Sequence, residues 1–138
     1  STQGVSSAAS DVYKRQYYGI LMKESLEKKW GEHNLDDGWV AIPIGLLKKQ
    51  SELDISPLGL NIIINLLSYW WYSDRSPYPS QETLANRIGV SKRSIQREIK
   101  KLTRLGVIDK SSTLRSDKKY KGRNIYDLEK LVNLLNGK

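Results

Sequence analysis

Residues 83–99 read Thr83-Leu-Ala-Asn-Arg-Ile-Gly-Val-Ser91-Lys-Arg-Ser-Ile-Gln-Arg-Glu-Ile99, a stretch that joins helical apolar spacing to clustered cations. Leu84, Ala85 and Ile88 fall on one face of a short helix, and Gly89 permits a sharp turn. Ser91 can cap a second helix whose buried stripe is Ile95, Ile99 and Leu102. Outside that stripe lie Lys92, Arg93, Gln96, Arg97, Lys100, Lys101 and Arg104. Arg and Lys can donate to guanine O6 and N7, and Gln can pair with adenine N6 and N7. A basic helix held across a tight turn therefore has the donors and the shape to enter a major groove. Over 91–105 such a helix spans about 22 Å. Arg93 and Gln96 are assigned to base edges. Ser91, Lys92, Arg97 and Lys100 are assigned to phosphates, which position a protein without reading sequence. Lys101 and Arg104, near the end of the helix, are expected to be solvated surface.

A second basic group follows. Val107 to Lys110 and Arg123 to Asp127 are short strand candidates bracketing a polar stretch with Arg115, Lys118, Lys119, Lys121 and Gly122. A hairpin with that tip would lay Arg115, Lys118, Lys119, Lys121 and Arg123 over an adjacent phosphate backbone. The net charge of +8 is unevenly placed: residues 80–124 carry 13 basic and 4 acidic side chains, residues 1–79 carry 8 and 9. A field concentrated on one segment suits a polyanion, whereas a surface built only for solubility intersperses both signs.

Other chemistries lack their residues. There is no cysteine and one histidine, His33, so neither a disulfide framework, a thiol nucleophile nor a His-rich metal site is expected. Metal-dependent nucleic-acid enzymes need clustered carboxylates, and the nearest candidate, Asp36-Asp37, sits alone in a turn. The expectation is no enzyme, no cofactor, no metal and no small-molecule ligand. No apolar run approaches a membrane span, and the first 16 residues lack the apolar middle of a secretory signal, which makes a cytoplasmic protein the expectation.

The elements that must position these residues can be read along the chain. Residues 1–16 are small and polar and are expected to be a disordered arm. Their Ser-Ala-Ala-Ser-Asp-Val-Tyr-Lys-Arg-Gln core resembles a translated sequencing adaptor, so the arm is expected to be non-native; as a minor-groove arm it would offer only Lys14 and Arg15. Residues 17–37 form a helical extension, its helix running over 17–32 with Ile20, Leu21, Leu26 and Trp30 as the better-buried positions. Residues 38–138 form the main domain. Ser56-Pro57 starts an apolar helix that runs to about Tyr72 and is the central core element, which places Tyr69-Trp-Trp-Tyr72 in the core. Ser80 caps the helix before Gly89, Gly106 ends the basic helix, and Asp127 opens a last helix with the stripe Leu128, Leu131, Val132, Leu134 and Leu135.

The small residue at Ala85, glycine four positions on and hydrophobe six beyond that at Ile95 resemble the helix-turn-helix pattern; with the hairpin, the layout is that of a winged helix. From Trp30 onward the chain resembles a family of bacterial and phage helix-turn-helix-domain proteins related to plasmid and phage replication initiators. The landmarks are Gly38-Trp39 with Ile42-Pro43, Leu46-Leu47, Gln50, Tyr69-Trp70-Trp71, Pro79-Ser80, Leu84-Ala85 to Gln96-Arg97, Leu105 to Ile108 and Asn124 to Leu128. The resemblance implies a mainly α fold with a small β-hairpin and carries no catalytic motif. Two functions stay open: sequence-specific binding of double-stranded DNA, in transcriptional regulation or replication, and a winged-helix protein-interaction module docking an acidic partner. The N-terminal helix or the Leu128–Leu135 stripe could also pair two copies into a homodimer.

Overall fold

The computed structural model describes residues 2–137, with side chains from Tyr13 onward except those of Arg15 and Tyr18, so the expectation resting on Arg15 lies outside the described residues. The chain divides into two units, Ser1–Trp39 and Val40–Lys138.

The first unit holds helix α1 (Thr2–Trp30) and a 3-10 turn, His33–Leu35. Helix α1 corrects two expectations. The arm expected to be disordered over 1–16 is helical from Thr2, because helix bonds are local, Ala8 and Ala9 are strong helix formers and no proline interrupts them. Ile20 and Trp30, expected to be among the better-buried positions, are 59 % and 61 % exposed, and Leu21 is exposed as well; only Leu26 is half-buried. Leu26 and Trp30 share a face at i, i+4, but Leu21 lies on the opposite side of the helix, so the four form no single stripe for another element to cover.

The second unit opens with α2 (Ile44–Lys49), which buries Leu46. Helix α3 (Pro57–Ser68) starts as expected, with Pro57 at its first position and the Ser56 hydroxyl accepting from the Gly59 N–H at 2.9 Å. Ile62, Ile63 and Leu66 are fully buried. The helix stops at Ser68, short of Tyr72. Tyr69 and Trp70 close 3-10-type bonds onto Leu66 and Leu67, and the chain leaves so that the Pro77 carbonyl can accept from the Tyr126 N–H at 2.9 Å. The expectation that Tyr69 to Tyr72 is core is thereby corrected: Trp70 is partly buried, but Trp71 and Tyr72 are 76 % and 63 % exposed.

Helices α4 (Gln81–Ile88) and α5 (Lys92–Arg104) pack on each other and on α3. Both starts are capped by serine: Ser80 Oγ accepts from the Thr83 N–H at 3.0 Å and Ser91 Oγ from the Ser94 N–H at 3.1 Å. Between them Gly89 adopts φ 81° and ψ 33°, the left-handed conformation that a side chain disfavours. Strands β1 (Asp109–Ser111) and β2 (Ile125–Asp127) then pair antiparallel, with Lys110 opposite Tyr126. The final helix α6 (Glu129–Leu135) begins where Asp127 Oδ1 accepts from the Glu129 N–H at 2.8 Å, and the Lys130–Asp109 ion pair at 3.0 Å ties it to the hairpin. Leu128 and Leu131 are buried, while Val132, expected in the same stripe, is exposed. The fold is mainly α with one small hairpin, arranged as a winged helix-turn-helix. Among the described residues no helix is long and apolar enough to cross a membrane.

Candidate nucleic-acid interface

Helix α5 is divided lengthwise by its residue spacing. Ile95, Ile99 and Leu102 are buried against the core, so residues half a turn away must face outward. These are Arg93, Arg97, Lys100 and Arg104, spaced i, i+4, i+7 and i+11, and all four are exposed. Lys92 and Gln96 flank this line and are exposed too. The helix has one acidic residue, Glu98, and it is turned toward α3: its Oε1 accepts from the Ser56 hydroxyl at 2.5 Å. Gly59 makes room for that approach, since a Cβ there would come within 2.8 Å of the same oxygen. Among the described residues no cation of α5 or of the 112–124 loop forms an ion pair with a carboxylate. Four outward cations without a carboxylate partner among the described residues make this face of the helix strongly positive.

Of the residues assigned to phosphates, Ser91 is the helix cap, and its hydroxyl is also hydrogen-bonded to that of Ser94 at 3.0 Å. Gln96, assigned to a base edge, has an internal partner: its Nε2 donates to Gln81 Oε1 at 3.1 Å. Gln81 opens α4 and also lies near Tyr126 of β2, so one side chain touches the first helix of the pair, the second helix and the hairpin. An amide NH2 has two hydrogens, and the one left on Gln96 suffices for adenine N7 while its oxygen accepts from N6. The Tyr126 hydroxyl is buried without a hydrogen-bond partner of good geometry. Burial pushes its pKa above the ordinary tyrosine value, and the nearby Asn124 and Gln81 side chains offset this only in part. Gln81 escaped the sequence reading because its role depends on pairing across 15 residues.

Toward the C-terminal half of α5, Arg97, Lys100, Lys101, Arg104 and Lys110 line one open groove of about 780 Å³, with Glu98 as the one carboxylate on its wall. Lys101 and Arg104, expected to be merely solvated, thus stand with Arg97 and Lys100. Lys110, on β1, lines the same groove, a placement that sequence spacing does not reveal.

The 112–124 loop is held by its own hydrogen bonds. Asp117 Oδ1 accepts from the N–H groups of Lys119 and Tyr120, both at 2.8 Å, and Thr113 Oγ1 donates to the Arg123 carbonyl at 2.6 Å. At Gly122, φ is 82° and a Cβ would lie 3.1 Å from the Arg115 side chain, so both conformation and space favour glycine. Arg115, Lys118, Lys119, Lys121 and Arg123 are all exposed on this loop.

Residues 53–108 match the family described as a helix-turn-helix domain. The chain is similar to that family over less than half its length, from just before α3 to the start of the hairpin, and the match supports DNA binding in general. No curated protein matches the chain.

Proposed function

We propose that this protein binds double-stranded DNA sequence-specifically, with residues 38–138 as the binding domain, α5 in the major groove and the 112–124 loop over the neighbouring backbone, in the service of transcription or of phage or plasmid replication. The observation that carries the reading is the outward line Arg93, Arg97, Lys100 and Arg104 on the second helix of the pair, free of carboxylate partners among the described residues. Cations so placed displace the counterions of a duplex, which makes affinity fall steeply with salt. Arg93 and Gln96, nearest the capped N-terminus of α5, are assigned to base edges, because the N-terminal residues of a recognition helix reach deepest.

The test is a salt titration of affinity for a selected site and for random duplex. Arg93→Ala or Gln96→Ala should cost about 1–3 kcal/mol on the selected site and relax discrimination at one or two base pairs. Replacing Lys118 and Lys119 together should weaken both duplexes alike and lower the salt slope by up to about 2. Equal losses on both duplexes for the α5 variants would make Arg93 and Gln96 phosphate contacts. Parent-like binding by every variant would mean that this face does not meet DNA, and the acidic-partner reading would replace it.

A further inference from the structure

The early end of α3 leaves a cluster of rings at the surface beside the hairpin. Tyr69, Trp71, Tyr78, Pro79 and Arg123 line a cleft of about 270 Å³. Trp71 is 76 % exposed and Tyr78 40 %. Cations stand over Tyr69 and over two rings beside the cleft: the Arg87 guanidinium lies 4.7 Å from the Tyr69 ring centre, Arg75 lies 5.2 Å from that of Tyr72, and Lys119 lies 5.0 Å from that of Tyr120. Tyr120, from the basic loop, meets Tyr78 edge-on at 5.2 Å, so the cleft and the loop are one continuous surface. Among the described residues no carboxylate lines the cleft.

We infer that this cleft binds an unpaired nucleobase of a single strand, with Arg123 holding the adjoining phosphate. A ligand suited to aromatic walls and an arginine has a flat apolar face and a neighbouring negative charge, which describes a nucleotide. Inside a duplex both faces of a base are already stacked, so away from its ends only an unpaired base can offer one. Stacking of a base on an aromatic side chain is worth about 5- to 160-fold in affinity and tolerates any base. Arg123 belongs both to the cleft and to the loop assigned to the duplex backbone, so the cleft would take a strand that leaves the duplex at the hairpin. The inference rests on the duplex-binding reading for that placement, but not for the stacking itself.

The experiment measures affinity of the full chain for a blunt duplex, the same duplex with an unpaired oligothymidylate tail, and oligothymidylate alone. The parent should prefer the tailed duplex over the blunt one by about tenfold or more. Trp71→Ala and Tyr78→Ala should bring that ratio close to one while leaving blunt-duplex affinity within about twofold, and Trp71→Phe should retain part of the preference. Trp71 is so exposed that its variants should fold, which a circular-dichroism melt checks; Trp71→Ala alone is decisive should Tyr78→Ala not fold. Equal parental affinity for tailed and blunt duplex, or an unchanged ratio in Trp71→Ala, overturns the inference and leaves the duplex reading standing. Binding of oligothymidylate without any binding of blunt duplex does the reverse.

Discussion

Single residues in this protein are set by what they leave unsatisfied. Tyr126 fills the space under the hairpin and is fully buried, yet its hydroxyl lacks a well-placed partner. Burial of the neutral phenol raises its pKa in the folded state. The unfolded chain therefore ionises first as pH rises, and the stabilisation is complete below about pH 10 and is lost as pH climbs through the folded value. Tyr126→Phe removes both the titration and the unsatisfied group. The variant should lie within about 1 kcal/mol of the parent at neutral pH and gain on it above about pH 10. Paired urea melts at the two pH values check this, and parallel pH dependences would mean that the hydroxyl is solvated. Gln81 illustrates the same point on the functional side, since its oxygen fixes one hydrogen of the Gln96 amide before any base is met.

Elements are decided by caps and by which side of a helix is covered. Ser56, Ser80 and Ser91 each satisfy a free N–H at a helix start, and Gly89 turns the chain between α4 and α5. Helix α3 supplies the floor on which that pair rests. Ile63 is fully buried there, whereas Leu67 is only partly buried. Ile63→Ala should destabilise by about 2–5 kcal/mol, the cost of a core cavity, and Leu67→Ala by clearly less. Thermal melts of the two variants side by side measure the difference; equal losses would place Leu67 as deep as Ile63.

For the molecule as a whole, the decisive feature is where its charge and its core lie. The basic excess falls on residues 80–124, and every fully buried apolar side chain described, from Leu46 to Leu131, belongs to the second unit. The side chains described among residues 1–16, Tyr13, Lys14 and Gln16, are exposed and lie outside that core. Deleting residues 1–16 should change stability by less than about 1.5 kcal/mol and leave duplex affinity nearly unchanged. A larger loss in a denaturant melt would show that the segment supports the core, and a loss of affinity alone would make it a DNA-contacting arm.

Much of this protein is legible without coordinates because its determinants are local. The serine caps, Pro57, Gly89 and the apolar spacing of α4 and α5 act over fewer than two helical turns, and the strand pair is flagged by Val107-Ile108 just before β1 and Ile125-Tyr126 within β2. Charge division along the chain needs no fold at all. Tertiary structure decided the rest, because it depends on which surfaces meet. Ile20, Leu21 and Trp30 of α1 remain exposed for want of one common face. Trp71 and Tyr72 come to the surface because the loop must reach β2 through Pro77. Gln81 finds Gln96, Lys110 joins Arg104, and Arg123 meets a ring of aromatics, each across a gap in sequence that only packing closes.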